Sequence, residues 1–101
     1  MKTFNDYYKI AEKLSKLEGK TICVGVIRHI DTGERLFEGM YIAYDNIVQC
    51  IDIERGCDLI MPRSKVYEEF YIAYSTGEVI KAYGVKYAGG KDEKDKVQVQ
   101  K

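Results

Sequence analysis

The chain has no tryptophan, one histidine, one proline and no net charge. Each scarcity excludes something. His29 has no second imidazole and no suitably spaced ligand near it, so no metal site is expected. Sixteen basic residues balance sixteen acidic ones, which argues against binding nucleic acid by bulk charge. The apolar runs are strand-sized, far short of the roughly 20 residues of a membrane-spanning helix. Met1 to Ile10 is polar, with Asn5 and Asp6 where a secretory leader would need an apolar centre, so a cytoplasmic setting is expected. The three cysteines, Cys23, Cys50 and Cys57, are odd in number and not spaced as a zinc knuckle, which reads as reduced thiols. Cys23 and Cys50 lie in apolar runs, as small buried hydrophobes do.

Signs of catalysis are equally sparse. A nucleophile needs a positioned base and an orienting third group. Here the sole histidine lies by a turn with only Asp31 close in sequence. Asp52 and Glu54 share a strand face, a common solubilising pattern. Gly25, Gly33 and Gly39 stand singly, so no phosphate-cradling loop is present. The expectation is a non-enzymatic binding protein with no cofactor.

What the chain does have is strand pattern and tyrosine, nine tyrosines in 101 residues. That length suits one domain. A helix is expected over 3–18, because Phe4, Tyr7, Ile10, Ala11, Leu14 and Leu17 recur at three- and four-residue steps. Thr3 is its candidate N-cap and Gly19 its stop. Lys9, Glu12, Lys13 and Lys16 form a solvated face or a phosphate-binding patch.

From Thr21 the period becomes two. Strands are expected over 21–28, 35–44, 47–53 and 57–61, then 66–74 and 78–87 as a further hairpin. Turns fall at Asp31–Glu34, Asp45-Asn46, Glu54–Gly56 and Ser75–Gly77. Gly39 lies inside a strand, where glycine marks a bulge or bend. Pro62 belongs at a strand edge or turn. Tyr-Ile-Ala-Tyr occurs twice, at 41–44 and 71–74, either as a duplicated hairpin element or as two strands of similar composition. The ordered body is expected to span 1–89, with a disordered, charge-mixed tail over 90–101. The fold class is α+β and mainly β: an N-terminal helix, then a small, strongly bent antiparallel barrel over 20–88 with an extra C-terminal hairpin.

The stretch from Phe37 to Gln49, with Leu17-Glu18-Gly19-Lys20 before it, resembles the first motif of the Sm and Sm-like family. Gly39, Tyr41, Tyr44 and Asp45 match its mid-strand glycine, apolar position and aromatic-Asp pair. Leu59 to Val66 is similar to the second motif, an apolar strand, Arg-Gly and a further strand, with Ser64 in place of the glycine. Gln49 stands at the family's base-contacting Asn, and Ile47 at its base-stacking position.

The resemblance implies a barrel that assembles through edge strands into a homo-oligomer and binds RNA or a nucleotide at the subunit seams. It makes Gln49 a ligand-facing amide, Arg63 a stacking or phosphate contact, and Asp45 an acceptor that fixes the loop. Tyr44 and Lys65 complete the candidate set. The plain readings stay open beside these: an Asx-turn for Asp45, a solvated strand residue for Gln49, a polar loop for Arg63-Ser64-Lys65. Residues 21–88 carry seven basic and ten acidic side chains, so attraction to RNA would need a local concentration of arginines. The alternative is a protein-binding inhibitor or adaptor, of the kind phages and mobile elements direct at host proteins, using a tyrosine-rich sheet surface.

Overall fold

The computed structural model describes residues 4–92. One helix, α1 (Phe4–Glu18), precedes seven strands: β1 (Thr21–His29), β2 (Arg35–Ala43), β3 (Ile47–Asp52), β4 (Cys57–Pro62), β5 (Val66–Ser75), β6 (Glu78–Tyr87) and the two-residue β7 (Lys91–Asp92). A 3-10 turn, Arg63–Lys65, links β4 to β5. The strands form one antiparallel sheet in the order β4-β3-β2-β1-β5-β6-β7.

The sheet is open, which corrects the expected closed barrel. The reason lies in the C-terminal hairpin. A five-stranded barrel would close by joining β4 to the free side of β5. Here β6 pairs along that side, from Glu68↔Lys86 to Ser75↔Glu78, so the position is filled. Of the expected tail, Lys91 and Asp92 pair with Tyr87 and Lys86. Residues 93–101 and the candidate cap Thr3 lie outside the described residues.

Each sheet face carries a buried cluster, and period-two alternation decides which residue goes where. On one face α1 buries Ala11 against Ile22, Val24, Met40, Ile42 and Tyr74. On the other, Ile27, Tyr41, Val48, Cys50, Val66 and Phe70 pack on each other as the sheet curls. Leu17, expected in the apolar stripe of α1, is exposed instead. The helix ends as expected at Gly19, which has a positive φ and donates to the Ser15 carbonyl. Ser15 itself is buried, and its hydroxyl accepts from Gly77 N–H at 3.0 Å, tying α1 to the β5–β6 turn.

The curl is made by glycine. Gly25 sits opposite Gly39 on one side and Phe70 on the other, where the β1–β5 register shifts. A Cβ on Gly25 would lie 2.2 Å from the Glu69 carbonyl oxygen, so only glycine allows this approach. Gly39 has φ 147°, a region side chains rarely adopt. The sequence pattern singles out Gly39 but not its partner.

Candidate functional site

The short turn between β2 and β3, Tyr44 to Asn46, is closed by Tyr44 N–H donating to the Ile47 carbonyl at 2.9 Å. The 3-10 turn after β4 docks beneath it. Arg63 N–H donates to the Asn46 carbonyl at 2.9 Å. The Arg63 guanidinium donates through Nη1 to the Tyr44 carbonyl at 2.6 Å. Through Nε it pairs with the Glu68 carboxylate at 3.0 Å. Glu68 is 1 % exposed. A carboxylate so buried needs a paired cation, and Arg63, with its side chain 12 % exposed, supplies one.

The two turns therefore meet. Arg63, however, faces inward to Glu68 and the backbone, not outward to a ligand space. Lys65 is exposed. Its carbonyl accepts from Ile30 N–H at 2.9 Å.

On the outer side of the β2–β3 turn lies an open concavity of about 680 Å³, lined by Ala43, Tyr44, Asp45, Asn46, Ile47 and Gln49. Three of the five candidate residues thus share one shelf. Tyr44 and Gln49 belong to a polar chain across it. Lys20 Nζ lies 3.4 Å from the Tyr44 hydroxyl and 5.9 Å from the ring centroid. The Tyr44 hydroxyl donates to Gln49 Oε1 at 3.3 Å, and Gln49 Nε2 donates to Asp58 at 2.6 Å. These two bonds orient the Gln49 amide and leave it one N–H and an oxygen lone pair. A smaller cavity of about 220 Å³ adjoins at Gln49 and includes Glu18, Lys20 and Asp58 in its wall.

A third cavity, about 320 Å³, lies where Tyr7 of α1 meets Phe37, Glu38, Asp52, Glu54 and Arg55. Its charges are largely internal pairs, Arg55 with Asp52 and Arg35 with Glu38. Burial, reinforced by Glu54, Asp52 and Glu38, raises the Tyr7 hydroxyl's pKa.

The buried thiols and the Tyr41 phenol keep their protons at neutral pH. Burial first, then Glu68, pushes the Cys50 thiol up to about 12 and the Cys23 thiol up to about 11. Burial likewise raises Tyr41 well above the usual phenol range. The Tyr41 hydroxyl is fully buried, and the Cys23 thiol beside it is at best a weak hydrogen-bond partner. Among the described residues no group of three His, Cys, Asp or Glu side chains could hold a metal ion, and no helix is long and apolar enough to cross a membrane.

Sequence reasoning missed Lys20, Asp58 and Glu68. For Glu68 a signal existed: in Val66-x-Glu68-x-Phe70, alternation turns the carboxylate to the same face as two large apolar neighbours, and an inward carboxylate calls for a cation. Lys20 and Asp58 needed the register, in which Gln49 faces Ile60 and Asp58 is the diagonal neighbour. No family model, no curated protein and no solved structure matches this chain.

Proposed function

We propose that this is a non-enzymatic binding protein, similar to a Sm-like module, that takes a base of RNA or of a nucleotide on the Tyr44 shelf. The observation that carries the reading is the shelf itself: one exposed aromatic ring, the Asn46 amide and a hydrogen-bond-oriented Gln49 amide around one open concavity. A ring offers a stacking plane, worth roughly 1–3 kcal/mol per base. Amides offer paired donors and acceptors for a base edge. Arg63 acts here by holding the loop through the Tyr44 carbonyl, a role different from direct ligand contact.

Assembly belongs to the same proposal. Strand β4 is a sheet end and carries Ile60, which is 56 % exposed. Pairing that edge with another copy would place the Gln49–Asp58 network close to a subunit seam. The protein-interface alternative has less support, because Tyr41 and Tyr74 are buried and only Tyr44 of the four repeat tyrosines is exposed.

Titration of short oligoriboadenylate and oligouridylate, followed by calorimetry, tests the reading. Wild type should bind at least one of them, and Tyr44→Ala should weaken it by about 1–3 kcal/mol. No binding of either at low salt would end the proposal.

A further inference from the structure

We infer that the Tyr44 shelf recognises a nucleoside unit through its base and disfavours a phosphate. This rests on the base-binding reading above and narrows it to a ligand class.

Electrostatics around the shelf disfavours a phosphate. Among the described residues, the one formally charged residue lining the shelf is Asp45, an exposed carboxylate. The adjoining cavity adds Glu18 and Asp58 against Lys20. Lys20 is directed at the Tyr44 hydroxyl and ring. Arg63, the guanidinium nearest in sequence pattern to a phosphate contact, is committed to Glu68 and the Tyr44 carbonyl. Lys65 lines neither cavity. Among the described residues, carboxylates thus outnumber ammonium groups around the site by three to one. A phosphate brought onto the shelf would meet a like charge before it met a partner.

The uncharged capacity points the other way. Gln49 keeps one N–H and a carbonyl lone pair after its two internal bonds, and the exposed Asn46 amide lies on the same shelf. Donor and acceptor side by side match a base edge. A sugar-phosphate chain could pass the shelf, provided its phosphates stay in solvent away from Asp45.

The test compares adenosine and uridine with their 5′-monophosphates on the full chain, at low and at high salt. The nucleoside should bind within about twofold of its monophosphate, or more tightly, at low salt. High salt should leave nucleoside affinity unchanged, since no counterions are released. Asp45→Lys should shift the ratio toward the monophosphate by at least about fivefold, as reversal of a neighbouring charge does. A wild-type preference for the monophosphate beyond about twofold overturns the inference and leaves base binding standing. A ratio unmoved by Asp45→Lys also overturns it, because the carboxylate would then not face the phosphate position. Absence of binding by all four compounds and by the oligonucleotides removes the base-binding reading itself.

Discussion

Tyr-Ile-Ala-Tyr occurs twice, and the two copies flank the same strand. Tyr41–Tyr44 spans the end of β2 and the turn beyond it, and Tyr71–Tyr74 lies in β5, both beside β1. Two positions keep the same orientation. Ile42 and Ile72 turn toward the helix-covered core, and Ala43 turns to the opposite face. Ala73 pairs with Cys23 as Tyr41 does. The tyrosines diverge. Tyr74 is buried under α1, while its counterpart Tyr44 is exposed on the shelf. Tyr41 is fully buried, while Tyr71 is the residue skipped where the β1–β5 register shifts, opposite the close approach at Gly25. Identical local sequence thus takes different environments according to register and to where the helix lies. It is the uncovered copy that supplies the candidate site.

The largest expected effect lies beneath the uncovered copy. Arg63→Ala leaves Glu68 buried and unpaired and frees the Tyr44 carbonyl, so unfolding in urea should show a loss of about 3–5 kcal/mol. Replacing both partners, Arg63→Met with Glu68→Met, should recover most of that stability, because no lone charge remains. Ligand affinity should not recover with it, since the loop still lacks its donor. If stability and affinity return together, Arg63 has no positioning role at the shelf.

The contrast between Tyr44 and Tyr74 comes next. Tyr74→Ala should cost at least about 3 kcal/mol, as truncating a buried aromatic does. Tyr44→Ala should stay within about 0.5 kcal/mol of wild type, as exposed changes do. Equal losses would mean that the two copies are equally packed. A smaller effect is expected at Tyr41. Tyr41→Phe removes a buried hydroxyl whose neighbour is only the weakly bonding Cys23 thiol, so stability should rise by about 1 kcal/mol. A loss of that size would show that the hydroxyl is satisfied in solution.

The thiols around Tyr41 give the mildest effect. Cys50 and Cys23 hold their protons in the folded state up to about 12 and about 11. In the unfolded chain they release them near the ordinary thiol value of about 8.5. Between those limits the native state binds more protons, so stability should fall as pH rises through that window. Melting curves across this range check the sign. At pH 8, only exposed Cys57 should react quickly with a thiol reagent.

Much of this fold is legible in the residues. The helix and the first six strands follow from a change of period at Gly19, and the strand ends shift by at most one residue. Closure is not legible, because whether β6 occupies the free side of β5 depends on a pairing between distant segments. Gly39 stands out in its strand, but Gly25 does not, since its need arises from the backbone of β5 across the ladder. At the site, Tyr44, Asp45 and Gln49 are recognisable and do share the shelf. Arg63 is expected as a ligand contact but instead pairs with Glu68 and the Tyr44 carbonyl. Its inward direction follows from Glu68, whose burial depends on the alternation of β5. Lys20 and Asp58 reach the network from α1's exit and from β4, and only register brings them there.

The most direct test of the central claim is a nitrogen–proton correlation spectrum of the full chain titrated with adenosine and with uridine. Base binding on the shelf should give saturable shifts at Tyr44, Asn46 and Gln49, with Lys20 following and Tyr71 to Tyr74 unmoved. Shifts confined to Tyr71–Tyr74 or to the cavity beside Tyr7, or a spectrum unchanged by either compound, would contradict it.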